Sequence, residues 1–163
     1  LSSSSAASDV YKRQPQDIDV LVSEVGPRDG LQNIKRIMPT EAKLKWIKSL
    51  AASGLQEIEV GSFVSHNLLP QMADCATLVR ETKKIGKVTI LALVPNLKGA
   101  EKAIAAGARK LTMPPSASRA HSLNNIGKTP EEAIEDVRRV CVLRDSLPLE
   151  KRPDVEVLSL IHI

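Results

Sequence analysis

The segment Glu24-Val25-Gly26-Pro27-Arg28-Asp29-Gly30-Leu31-Gln32-Asn33 places two carboxylates, a guanidinium and two side-chain amides within ten consecutive residues. Asp29 offers a hard oxygen of the kind that Mg²⁺ or Mn²⁺ takes. Arg28 beside it can hold a substrate carbonyl or carboxylate oxygen through its fixed fork of donors, more specifically than a lysine would. Gly26-Pro27 and Gly30 shape the segment as a turn. The same residue types also suit a surface turn with an incidental ion pair, so the position of the turn in a fold decides between the two.

The elements around it alternate. Ile18 to Glu24 is a short apolar, β-branched run that predicts a strand ending at Gly26-Pro27. Thr40 can cap a helix whose apolar positions Leu44, Ile47, Leu50 and Ala51 recur at helical spacing, with Gly54 just past its end. Ile58 to Val60 predicts a second strand, about Leu68 to Lys84 a second helix, and Val88 to Val94 an apolar third strand. Asn96 caps a third helix that Gly107 closes, and Lys110 to Met113 forms a fourth strand. Thr129-Pro130-Glu131-Glu132 is a capping box with proline at the first helical position, opening a helix with Ala133, Ile134, Val137, Val140 and Cys141 inward. Val155 to Val157 begins a fifth strand.

Strands too apolar for a wet face, alternating with helices, call for a parallel sheet and an α/β architecture. No Gly-x-Gly-x-x-Gly follows the first strand and no Gly-x-x-x-x-Gly-Lys-Ser/Thr occurs, which removes the dinucleotide and P-loop folds. The parallel option left is a (β/α)₈ TIM barrel, which takes roughly 250 residues, so this chain would hold its N-terminal half, about four βα units. A half barrel leaves one strand edge unpaired at each side and one core face uncovered, favouring aggregation or pairing with a second copy.

Composition removes other classes. Of 163 residues, 42% are hydrophobic and 26% charged, as in an ordinary globular domain or part of one, and no apolar run approaches the eighteen or so residues of a membrane span. The three aromatics, Tyr11, Trp46 and Phe63, make no stacking platform, and the net charge of +4 comes from 23 basic against 19 acidic residues scattered along the chain. Neither a nucleic-acid nor a membrane partner is expected. Cys75 and Cys141 stand far apart at helical positions, which fits core packing in a reducing, intracellular setting.

The domain is expected over residues 15–157. Residues 1–14 are Ser-rich without helical or strand period, and they and the closing residues 158–163 resemble translated adapter sequence; a transit peptide is the other reading of the N-terminal stretch. The chain is expected to continue past Val157. Cytoplasmic placement is expected, or the mitochondrial matrix in a eukaryote.

In a barrel, chemistry sits where strands end. The string Glu24 to Asn33 resembles the signature of the hydroxymethylglutaryl-CoA lyases, within a wider group of metal-dependent lyases and synthases. Matches continue through Pro39-Thr40, Gly54-Leu55, Ile58-Glu59, Ser62-Phe63-Val64-Ser65, Pro70-Gln71-Met72, Pro95-Asn96-Leu97-Lys98-Gly99 and Ala105-Ala106-Gly107-Ala108. Leu31 stands where the related synthases usually carry Glu. The resemblance implies a TIM-barrel lyase, a homo-oligomer when full length, that cleaves an acyl-CoA substrate, 3-hydroxy-3-methylglutaryl-CoA, to acetyl-CoA and acetoacetate with Mg²⁺ or Mn²⁺. It implies Asp29 as metal ligand, Arg28 as the residue that stabilises the enolate or carbonyl oxygen, and Glu59 as the active-site glutamate that orients Arg28 or the metal shell. Gln32 would lie near substrate and metal, and Glu24 would buttress Arg28. The family's His-x-His ligands, cysteine loop and last metal-binding asparagine belong to later strands, so this chain is expected to be inactive alone.

His121, after the fourth strand, is a candidate for touching substrate, while His66 reads as either a solvated loop residue or a residue of the barrel mouth. Ile34 and Arg119 stand where the family usually has acidic residues. A related lyase or synthase acting on another acyl-CoA or a 2-oxo acid, and a non-catalytic half barrel, are the competing readings.

Overall fold

The computed structural model describes residues 20–159; the expectations for residues 1–14, for Ile18 and Asp19 of the first strand, and for residues 160–163 of the closing segment lie outside the described residues. Five strands form one sheet in the order β1-β2-β3-β4-β5, every neighbouring pair parallel. They are β1 (Ser23–Glu24), β2 (Glu57–Ser62), β3 (Thr89–Leu93), β4 (Lys110–Met113) and β5 (Asp154–Val157). Each connection carries helix: α1 (Thr40–Ala52), α2 (Cys75–Lys83), α3 (Leu97–Ala106), then α4 (Arg119–Ile126) and α5 (Pro130–Asp145) together. Sequential parallel order with helical crossovers is the arrangement of the first half of a (β/α)₈ barrel.

The core lies between the sheet and the helices. Ile58 and Val60 of β2, Ile90 and Ala92 of β3, and Leu111 and Met113 of β4 pack with Ile47 of α1, Leu78 and Val79 of α2, the alanines of α3 and Val140 of α5. Burying each of the larger side chains is worth about 1.5–3 kcal/mol. Gly61 lets α2 approach β2 closely, since a Cβ there would stand 2.6 Å from Cys75 Sγ.

The opposite face of the sheet is not apolar, contrary to the uniform strands expected. Side chains alternate along a strand, and Glu57, Glu59, Lys110, Thr112 and Glu156 project from the face that turns away from the helices. Glu57, Glu59 and Thr112 are nonetheless buried, while Lys110 and Glu156 are half-buried, so the second face is charged.

The helix signals hold at several ends. Asn96 Oδ1 accepts from Gly99 N and Gly107 closes α3 at φ +99°; Thr129 and Glu132 form the reciprocal capping box of α5. Other expectations need correction. Thr40 is the first residue of α1, and its hydroxyl donates to Asp74 Oδ2 at 2.8 Å instead of capping. The expected long second helix is a 3₁₀ turn at Pro70–Met72 followed by α2, because Pro70 opens a new short element. Ile134 is exposed, since α5 turns Ala133, Val137 and Val140 inward. The helix α4 was not expected; Ser118 Oγ caps it by accepting from His121 N, and Gly127 ends it at φ +67°.

Candidate active site

The turn after β1 is a single π-helical turn, Gly26–Gly30, with buried Pro27 fixing the φ of its second residue. Val25 C=O accepts from both Arg28 N and Asp29 N, at 3.0 and 2.7 Å, while Leu31 N closes back on Gly26 O. Glu24 Oε1 accepts from Gly26 N at 2.5 Å. Glu24 therefore fixes the entry of the turn that carries Arg28, through the Gly26 backbone. Gly26 is needed here: a Cβ would come 2.7 Å from Glu24 Oε1 and 3.2 Å from the Trp46 ring.

This winding aims Arg28 across the sheet end. Its Nε donates to Glu59 Oε2 at 2.5 Å, from the middle of β2, and its Nη1 donates to Asp29 Oδ1 at 2.7 Å. Gln32 Nε2 reaches the same Asp29 oxygen at 2.9 Å, and Asn33 Nδ2 donates to the Asp29 carbonyl at 2.8 Å. Arg28 and Glu59 side chains are 12% and 2% exposed, whereas Asp29 is 50% exposed. The structure thus brings Arg28, Asp29, Gln32 and Glu59 into one cluster.

Burial pushes the Glu59 carboxyl above its ordinary range, opposed by the charge and hydrogen bond of Arg28 and by a hydrogen bond with Thr112, while the Glu156 charge adds to the rise. The pairing does not fully offset desolvation.

Two further features escaped the sequence reading. Lys43, 1% exposed, donates to Gln71 O at 2.6 Å and pairs with Asp74 at 2.7 Å, while Gln71 Nε2 donates to Ile34 O at 2.7 Å. These bonds tie the β1 and β2 loops together and hold the turn from outside. The second is the charged inner face, whose signal was present as alternation in Glu57-Ile58-Glu59 and Lys110-Leu111-Thr112.

His121 lies on α4, half-buried, on a different element from the cluster. His66 is exposed in the loop after β2 and lines an open groove of about 340 Å³ between α2 and α3. Cys75 belongs to the core, and Cys141 is half-buried. Arg119 pairs with Glu131 at 3.7 Å on the surface.

Asp29 presents a half-exposed carboxylate with Gln32 beside it, donors that suit a hard divalent cation but fill only part of its coordination sphere. No group of three or more His, Cys, Asp or Glu side chains able to hold a metal occurs among the described residues. No helix among them is long and apolar enough to cross a membrane.

A parallel α/β half barrel with an Arg-Asp cluster after β1 held by Glu59 of β2 places the chain among the (β/α)₈ barrel proteins. The model of the HMGL-like family matches residues 19–149, and the chain belongs to that family. The chain is 45% identical over 115 residues to the cytoplasmic 3-hydroxy-3-methylglutaryl-CoA lyase of Mus musculus, covering 71% of this chain and 34% of that protein. It is 44% identical over 121 residues to the mitochondrial hydroxymethylglutaryl-CoA lyase of Gallus gallus, covering 74% and 40%. The fold matches an HMG-CoA lyase of Acinetobacter baumannii, solved with coenzyme A and 3-methylmalate, with a TM-score of 0.78 and 31% identity over 86% of this chain and 44% of that one. The chain thus spans less than half the length of these relatives, whose names place them in both mitochondria and cytoplasm.

Proposed function

We propose that this chain is the substrate-holding half of a lyase that cleaves 3-hydroxy-3-methylglutaryl-CoA to acetyl-CoA and acetoacetate. The observation that carries the reading is the Arg28 guanidinium, clamped between buried Glu59 on β2 and half-exposed Asp29 in the turn after β1. In the cleavage the hydroxyl proton leaves, its electron pair forms the ketone of acetoacetate, and the carbon–carbon bond breaks. The released pair goes onto the thioester as an enolate, which takes up a proton to become acetyl-CoA.

Two of the five N–H donors of Arg28 are spent on Glu59 and Asp29, and the rest of the fork can meet the thioester oxygen where negative charge grows. Glu59 keeps the guanidinium from swinging, because its carboxylate accepts from Arg28 Nε on the sheet side. A divalent cation held in part by Asp29 would polarise the substrate oxygens and ease loss of the hydroxyl proton. The resemblance assigns the remaining ligands and the acid–base groups to later strands, and the full-length protein to a homo-oligomer.

The test is acetoacetate release by the full-length protein across several acyl-CoA thioesters, with and without Mg²⁺ or Mn²⁺. Arg28→Gln is expected to lower kcat by about 10²–10³, the loss typical of one oxyanion donor. Full activity of the Arg28→Gln protein, or metal-stimulated release by this 163-residue chain alone, refutes the reading.

A further inference from the structure

Three carboxylates, Glu57, Glu59 and Glu156, share the inner face of the sheet with one lysine, Lys110. Lys110 Nζ donates to both Glu57 oxygens at 3.2 and 3.1 Å and lies 3.4 Å from Glu156 Oε1. Its side chain is 17% exposed, that of Glu57 10%. Thr112, one step along the same face of β4, reaches Glu156 Oε2 at 3.5 Å and acts on the Glu59 carboxyl as well, pulling it down. A hydroxyl has one proton, so Thr112 serves one of these carboxylates at a time. The result is two charged groups on one inner face, Arg28 with Glu59 and Lys110 with Glu57 and Glu156, with Thr112 beside them.

We propose that Lys110 is a positioning residue for Arg28: by holding Glu156 and Glu57, it leaves Glu59 as an ionised carboxylate committed to Arg28 Nε. The reason is charge spacing. Without Lys110, three carboxylates would face one another with a single cation, Arg28, to serve them, and like charges close together disfavour each other's ionised forms. Glu156 would then compete with Glu59 for the Thr112 proton, and Glu59 would hold Arg28 less firmly. Lys110 itself stays charged: burial pulls its ammonium down, but the hydrogen bond to Glu57 and the charges of Glu156 and Glu57 outweigh it and hold the group above its ordinary value. The groups that bear on Glu59 are Arg28 from the turn, Thr112 from β4 and Glu156 from β5, with Glu57 and Lys110 on the same face of the sheet.

The proposal rests on Arg28 being the residue that holds substrate, and the experiment separates the two. In this chain, solvent exchange of the Arg28 Nε proton is followed by NMR, with the amides of Ile58 and Ile90 as a control for overall folding. Lys110→Gln is expected to accelerate Arg28 exchange about tenfold, the equivalent of one pKa unit at the partner carboxylate, with core amides unchanged. Lys110→Arg should restore slow exchange, as should the double variant Lys110→Gln/Glu156→Gln. Unchanged Arg28 exchange in Lys110→Gln, or a double variant as fast as the single, overturns the proposal. Should Lys110→Gln lose its core amide protection, Glu156→Gln alone decides: it is expected to leave Arg28 exchange at or below the wild-type rate, and acceleration overturns the proposal. In the full-length protein, faster Arg28 exchange with undiminished acetoacetate release would uphold Lys110 as positioning residue while refuting the assigned role of Arg28.

Discussion

The Arg28–Glu59 pair sets a sharp test of how charge is carried at this site. Glu59 is 2% exposed at its side chain and Arg28 12%, so both give up most of their hydration. Replacing Glu59 with Ala leaves a largely buried guanidinium without its main partner, which for a buried pair costs about 3–5 kcal/mol. Arg28 keeps Asp29 at 2.7 Å, so the lower end, about 3 kcal/mol, is expected. Glu59→Gln is different, because the amide oxygen still accepts from Arg28 Nε while the cost of burying a negative charge disappears. The lost charge assistance is worth about 1–2 kcal/mol, and the burial cost removed is of similar size, since burial outweighs pairing in raising the Glu59 carboxyl. The net change at pH 7 is therefore expected within about 1 kcal/mol of zero, typical of an interaction whose opposing parts nearly cancel.

The pH dependence has a defined sign. A carboxyl whose folded value lies above its unfolded one binds its proton more tightly when folded, so its contribution is present below the unfolded value of 4.5 and is lost as pH rises through the folded value. Urea unfolding from pH 4 to 8 checks both points. Wild-type protein should lose stability across the lower part of that range, and Glu59→Gln should lack that component. A Glu59→Gln protein destabilised as much as Glu59→Ala, or one that keeps the wild-type slope, refutes the reasoning.

Other expectations are quicker to check. Gly61→Ala forces a Cβ to 2.6 Å from Cys75 Sγ and should lower stability by about 1–3 kcal/mol in urea unfolding, the cost of overpacking. Lys43→Ala removes the ion pair with Asp74 and the bond to Gln71 O, and should cost about 3 kcal/mol and loosen the β1 loop, seen as faster amide exchange at Arg28 and Asp29. Burial, with the Asp74 charge, pushes the Cys75 thiol well up; at pH 8 a thiol reagent should label Cys141 and spare Cys75 until the chain unfolds.

What was legible in the residues was local. The capping box at Thr129, the Asn96 cap and the stop at Gly107 each depend on contacts within a few residues, and the structure has them where the sequence places them. The alternation of strand and helix follows from hydrophobic period and turn chemistry, and the half-barrel architecture from that alternation together with the missing nucleotide-binding fingerprints and the chain length. The turn at Gly26–Gly30 was equally readable, because glycine, proline and the Arg-Asp pair lie side by side. Folding in three dimensions decided the rest. Arg28 meets Glu59 across 31 residues and Lys110 meets Glu57 across 53, contacts that exist only because parallel crossovers set the strand register. The same non-local packing took the Thr40 hydroxyl from its expected cap to Asp74 and filled the inner sheet face with paired charge. A residue type states which bonds a side chain can make, and only the register of distant strands determines which partner is within reach.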